Sequence, residues 1–465
     1  MSTMFDSGFV FGFLIFVLVV GFLKSRKIRN MREYSIAERK YSLPIMVATV
    51  TATTIGGGSS IGMVASIFSF GIVFILISFG NPLNSFLVSQ FFVNRINEIS
   101  DCISVGDIMH KFYGRHARII AGICGTLYCA AAVGGQVSAI GFIINYFLHI
   151  PFALGVAIGC GILIVYSSFG GVKAVTATDV IQFAVLIIAV PMICNVGLHL
   201  MGGYSELFER VPSRVLTLPH TAGEIINYFF IFLGFCVPFL DPPTTQRLLM
   251  AKDREQIQNT LRWSALIQVC FFIVIGIIAL IAVANNADYD PNMAFTHLVS
   301  TILPVGLKGI AIAGLLSVVM STADSYLNAA GIAFVHDVIG PLRQGKISDK
   351  GELKLAKWAT FMIGSLATVI ALSFSSIMSI ILFSLNFWGP IIVVPLYAGL
   401  LGVKVNKGSF LGGVVGGILA FCIWHFLVEP RLNIGSLIPS MIGNFIGFCF
   451  IHFLQKYKST RLEIA

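Results

Sequence analysis

The sequence predicts an all-α polytopic membrane protein, and three observations carry that reading. Of 465 residues, 57% are hydrophobic and 11% charged, whereas soluble domains carry about a quarter charged residues. Apolar runs long enough to cross a ~30 Å hydrocarbon core recur from one end of the chain to the other. Those runs are continuous rather than alternating, so the spans are helices and not barrel strands.

About thirteen spans follow in order, at 8–24, 44–69, 71–93, 117–148, 152–168, 174–200, 224–241, 259–284, 306–336, 354–373, 377–402, 408–428 and 432–455. The first has its basic cluster after the apolar run and no small-residue cleavage pattern. It therefore reads as a retained helix and not as a secretory leader. The longest connections, 94–116, 201–223, 242–258, 285–305 and 337–353, leave no room for a large extramembrane catalytic module. The whole chain, 1–465, reads as a single transmembrane domain.

Net charge is +9, and its placement is informative. Alternate connections collect Lys24, Arg26, Lys27, Arg29 and Arg32; Arg95, Lys111, Arg115 and Arg118; Arg247, Lys252 and Arg254; Arg343, Lys346 and Lys350; Lys404 and Lys407; and Lys456, Lys458 and Arg461. The opposite set is poorer, with Arg210, Arg214, Lys308 and Arg431. By the positive-inside rule the N-terminus is outside and the C-terminus cytoplasmic, in a plasma membrane, as an odd span count also requires. The basic excess marks orientation in the lipid bilayer, so no nucleic acid partner is expected, and no obligate protein partner is evident. The cysteines fall almost entirely within spans and behave as small hydrophobes. No CxxC or Cys/His cluster suggests zinc.

The second span contains TVTATTIGGGSSIGMVA, residues 49–65. Glycine costs about 1 kcal/mol per residue in a helix relative to alanine, so a glycine triplet at mid-span needs a reason. One reason is an unwound segment whose freed carbonyls offer hard oxygens to a small cation. The other is close helix packing through small residues. Five spans later, FIFLGFCVPFLDPPTTQR places Gly234 and Pro238 within the seventh span and Pro242 and Pro243 at its end, where they disturb it. Interrupted spans at corresponding places in two halves point to an inverted repeat with a binding site at its centre.

The ninth span carries AGLLSVVMSTADSYLNAAG. Ser317, Ser321, Asp324, Ser325 and Asn328 recur at helical spacing and form one polar stripe. An intramembrane carboxylate is costly, so Asp324 should face a partner or a wet cavity. A structural polar seam is the alternative. The sixth span opens in SSFGGVKAVTATDVIQ, where Asp179 either serves a site or complements a helix dipole.

Together TATTIGGGSSIG, GGVKAVTATDVIQ and VVMSTADS resemble the sodium:solute symporter family, whose carriers move proline, sugars, sialic acid, pantothenate or choline with sodium. The resemblance covers nearly the whole chain. It implies a LeuT-like core of two inverted five-helix repeats, 44–200 and 224–402, with one helix before (8–24) and two after (408–455). It implies a sodium ion held by the carbonyls of Ala52, Ile55 and Val318 and the hydroxyls of Ser321 and Thr322. A second ion region, used by some members, would involve Asp179 and Ser325. Asp324 departs from relatives that carry a small residue there; it would join that region, carry a proton or pair with a cationic solute.

By helix position the small organic solute should sit beside the glycine break, near Thr54, Gly56, Gly57, Ser59, Gln136, Phe235 and Trp388, with Phe74 as a cover. Choline carriers of the family have a tryptophan where this chain has Thr54, and quaternary ammonium recognition relies on aromatic faces. That loss argues against choline. No intramembrane Arg or Lys is evident to meet a carboxylate-bearing solute, which leaves a half-helix N-terminus for that task. The expected activity is sodium-driven symport by alternating access. A proton-coupled carrier using Asp179 and Asp324 is the nearer rival and a transporter-like sensor the more distant one. An enzyme is not expected, because no nucleophile–base pair or metal-ligand set is apparent.

Overall fold

Interrupted helices set the architecture as much as continuous ones do. The structure, a computed structural model, describes residues 2–25, 30–91, 98–285, 289–343, 347–403, 406–432 and 434–464. Among the basic residues used for orientation, Arg26, Lys27, Arg29, Arg95, Lys346 and Lys404 lie outside that set. The helices used below are α1 (Ser2–Ser25), α2 (Leu43–Thr54), α3 (Ile61–Phe70), α4 (Val105–Tyr113), α5 (Arg115–Leu148), α6 (Phe152–Met201) and α7 (Ala222–Cys236). They continue with α8 (Pro242–Leu249), α9 (Arg254–Asn285), α10 (Leu307–Ile332), α11 (Asp349–Ser373), α12 (Ile377–Leu385), α13 (Lys407–Ile423) and α14 (Leu437–Ile464).

Among the described residues, nine helices are long and apolar enough to cross a membrane by themselves. Five shorter apolar helices, Gly8–Leu23, Leu43–Thr54, Ile61–Phe70, Phe152–Val165 and Ala222–Cys236, fall at expected spans. The fifth and sixth expected spans are two helices that meet within α6 at a sharp kink, where Gly171 has non-helical backbone (φ 51°, ψ −172°). Only a glycine adopts that backbone without strain.

Two interruptions stand out. Between α2 and α3 the chain is non-helical from Ile55 to Ser60, and between α7 and α8 from Val237 to Asp241. The seventh span therefore stops short of its expected end. The connection expected at 242–258 begins instead with α8, started by Pro242 and Pro243 in its first turn and capped by Asp241. Arg247 on α8 is fully buried. Arg247, expected in a connecting segment, is instead buried in the bundle: a proline break turns α8 inward and carries the arginine with it.

At the centre runs α10, packed against α2, α5, α6 and α8. Its span is 89% buried inside the protein, against 17% for the spans containing α13 and α14. Lipid tails are as apolar as leucine, so such packing rests on van der Waals contact and interhelical hydrogen bonds. One such link ties α1 to the start of α10: Asp6 Oδ1 accepts from the amides of Gly306 (2.8 Å) and Gly309 (3.0 Å). An anion there also complements the helix dipole.

Candidate functional site

Helix α2 ends where Ile55 turns to extended backbone (φ −94°, ψ 99°). The freed carbonyls meet the polar stripe of α10. Ser321 Oγ donates to Ala52 O at 2.8 Å, and Thr322 Oγ1 lies 3.1 Å from both Ala52 O and Ile55 O. The same hydroxyl is 3.3 Å from Val318 O. Three carbonyls and two hydroxyls thus converge from two helices.

The glycines serve space and not handedness. None of Gly56, Gly57 and Gly58 has positive φ. A Cβ on Gly56 would lie 2.6 Å from Thr322 Oγ1, and one on Gly57 2.9 Å from the Ala139 methyl. Both explanations for the triplet hold together: the helix unwinds there, and neighbours press on the unwound backbone. Some freed amides are already engaged, Gly56 N–H by Ser59 Oγ (2.8 Å) and Gly57 N–H by Gln136 Oε1 (2.6 Å).

Beside this lies a buried ionic network. Asp179, Ser325 and Arg247 are all fully buried. Asp179 Oδ2 accepts a short hydrogen bond from Thr49 Oγ1 and lies 3.6 Å from Arg247 Nη2. That guanidinium also donates to Ser325 Oγ (2.5 Å), Thr49 Oγ1 (3.2 Å) and Gln246 Oε1 (3.2 Å). Ser325 Oγ is 3.2 Å from Thr53 Oγ1, one residue from the Ala52 carbonyl. A buried charge needs a partner and hydrogen bonds; the network supplies both at Asp179 Oδ2, while the buried Oδ1 has no hydrogen-bond partner among the described residues. Asp324 is fully buried too but does not line the neighbouring cavity.

That cavity, about 180 Å³, is lined by Thr54, Gly56, Ser59, Phe74, Gln136 and Phe235, among others. Phe74 and Phe235 meet edge to face at 6.4 Å. Thr322 also reaches the cavity and so borders both the oxygen cluster and the solute-sized space. Gly57 and Trp388, expected beside the solute, stand outside the lining of this cavity. Gly57 is covered by Gln136 and Ala139. Trp388 is fully buried behind Tyr128, at 6.1 Å between rings, with its Nε1 donating to Phe239 O (2.8 Å).

The family model for the sodium:solute symporter family matches residues 34–416. The chain belongs to this family. It is 26% identical over 390 residues to the high-affinity choline transporter 1 of Drosophila melanogaster, covering 78% of this chain and 62% of that protein. It is 21% identical over 442 residues to the osmoregulated proline transporter OpuE of Bacillus subtilis, covering 89% and 87%. Among solved structures, a Na+-coupled sialic acid symporter in a substrate-bound outward-open state superposes with a TM-score of 0.78 at 19% identity, covering 95% of this chain and 97% of that one. A nucleobase-cation-symport-1 family transporter gives 0.59 at 13% identity, covering 90% and 94%.

The fold is accordingly the all-α, LeuT-like one, in a multi-pass membrane protein. The symporter couples a small solute to sodium and is not an enzyme. Residues that sequence reasoning missed are Arg247, Tyr128, Tyr326 and Asp241. Arg247 and Asp241 sat in or beside a segment read as a connection. The Pro-Pro pair between them was the available signal, since proline in the first turn starts helices as readily as it ends them.

Proposed function

We propose that the symporter imports a small organic solute with sodium across a plasma membrane by alternating access, its N-terminus outside and its C-terminus cytoplasmic. The repeats would comprise 44–200 and 224–402, with 8–24 before them and 408–455 after. Sodium would sit among the carbonyls of Ala52, Ile55 and Val318 and the hydroxyls of Ser321 and Thr322. The observation that carries this is the reach of both hydroxyls to the carbonyls across the broken helix. Hard, neutral oxygens suit a small monovalent cation, and an ion there takes the carbonyl lone pairs that the hydroxyls now share.

Coupling follows from shared residues. Gly56 and Thr322 border both the ion position and the solute cavity, so sodium that fixes the break also shapes the pocket. Such coupling requires sodium to bind one conformation more tightly than the other. The membrane potential adds about 2.3 kcal/mol per charge per 100 mV.

The region of Asp179, Asp324 and Ser325 is read differently from the sequence expectation. The Arg247 guanidinium already bonds Ser325 and pairs with Asp179, and it acts as a tethered cation in place of a second sodium. Sodium activation of uptake should then be hyperbolic. The test is uptake into proteoliposomes with sodium and pH gradients imposed separately. Uptake should need the sodium gradient and ignore the pH gradient; a sigmoidal sodium curve would show a second ion, and a pH-driven signal would restore the proton carrier.

A further inference from the structure

The cavity has an unusual electrostatic balance for a membrane interior. Among its described lining residues, Asp241 is the one charged side chain, with no Lys, Arg or His beside it. Asp241 is 6% exposed. Its Oδ2 accepts from Tyr128 Oη (2.9 Å) and Tyr326 Oη (2.8 Å), and its Oδ1 from the Thr244 amide (3.1 Å). A carboxylate has roughly four acceptor positions, so these three neutral donors leave one open and leave the charge uncancelled. The nearby Arg247 is engaged by Asp179. An intramembrane carboxylate of this kind calls for a cation.

We propose that the missing cation is the solute, a small molecule bearing a protonated primary or secondary amine that donates N–H to Asp241. This rests on the reading of the cavity as the solute site. The rest of the lining suits such a molecule. The rings of Phe74, Phe235, Phe239 and Phe272 border the same space, and aromatic faces attract ammonium groups. A carboxylate-bearing solute would meet no Lys, Arg or His among the described lining residues, and the Gly56 amide is already taken by Ser59. A quaternary ammonium has no N–H for the open acceptor position.

Asp241 is also the N-cap of α8, and that role by itself would explain an aspartate. Asparagine caps a helix equally well, so Asp241→Asn separates the cap from the charge. The experiment is thermal unfolding of the purified symporter at saturating sodium with ethanolamine, pyrrolidine, choline, glucose or lactate. Ethanolamine or pyrrolidine should raise Tm, and glucose and lactate should not. Asp241→Asn should weaken the stabilising amine by about tenfold or more, as loss of a charge-assisted bond predicts.

Stabilisation by sodium alone should be the same in the native protein and Asp241→Asn. If sodium alone fails to stabilise either, the ion reading fails while the amine comparison still stands. Choline outperforming both amines, stabilisation by glucose or lactate, no response to any amine, or unchanged amine binding in Asp241→Asn would each overturn the proposal. Should Asp241→Asn fail to accumulate, Tyr326→Phe decides: removing a competing donor leaves amine binding intact or tighter, whereas a neutral-solute site built on that hydroxyl weakens.

Discussion

Replacing both Ser321 and Thr322 by alanine deletes the two hydroxyls that face the end of α2. Ser321 Oγ reaches one carbonyl, at Ala52, and Thr322 Oγ1 reaches three, at Ala52, Ile55 and Val318. A hydrogen bond to a charged group is worth about 1.5–3 kcal/mol, and a hydroxyl ligand to sodium is taken on the same scale. At about 1.4 kcal/mol per tenfold, losing one hydroxyl weakens sodium by ~10–100-fold. Both point at Ala52, so their losses should not add simply. The assay is sodium-induced thermal stabilisation, which needs no knowledge of the solute. At a sodium concentration near 100 times the native Kd, stabilisation is about 2.7 kcal/mol, and a 100-fold weaker variant retains only ~0.4 kcal/mol. The neutral bonds lost in the sodium-free protein cost about 1 kcal/mol each, so the variant should still accumulate in the membrane. A variant of normal abundance with an unchanged sodium response would refute the five-oxygen site.

Three further outcomes are expected. Gly56→Ala places a methyl 2.6 Å from Thr322 Oγ1 and 2.9 Å from Gln136 Oε1; overpacking of about 1–3 kcal/mol should weaken sodium binding more than in Gly58→Ala, whose nearest neighbour is the Ile381 side chain at 3.1 Å, and equal effects would deny the close approach. Asp179→Asn and Arg247→Gln should each cost about 3–5 kcal/mol by stranding a buried charge, yet the double variant should cost less than their sum, and additivity in unfolding measurements would break the pair. Asp107 on α4 is pushed up by burial but held below the ordinary carboxylate range by the stronger pull of His336 and Arg118. Its contribution is therefore complete above the unfolded value of about 3.9 and lost as pH falls through the lower folded value. Asp107→Asn should cost on the order of 1 kcal/mol at neutral pH, given its partial exposure, and flatten acid unfolding; an acid limb identical to the native one would contradict the assignment.

The sequence by itself determined the membrane class, the all-helical architecture and the place of the first break. Continuous apolar runs leave helices as the only economical way to satisfy backbone polar groups in lipid, and a glycine triplet among hydroxyls is conspicuous in such a run. The spacing of Ser317, Ser321, Asp324, Ser325 and Asn328 put one polar face on α10, and the structure buries all of it. Thr54, Ser59, Phe74, Gln136 and Phe235 were placed near the cavity by helix position alone, because a short offset along a helix fixes depth in the bilayer. Rotation about the axis is a different matter. Trp388 was expected beside the same break, but packing turned its ring behind Tyr128. Arg247 resembled one more basic residue in a connecting segment until the Val237–Asp241 break folded α8 inward and set its guanidinium against Asp179. Asp241, likewise, became the lone charge among the described residues lining a cavity only when α5 and α10 brought Tyr128 and Tyr326 to it. Local sequence encodes periodicity and breaks, whereas the partner of a buried charge comes from a helix distant in the chain and is chosen only when helices pack.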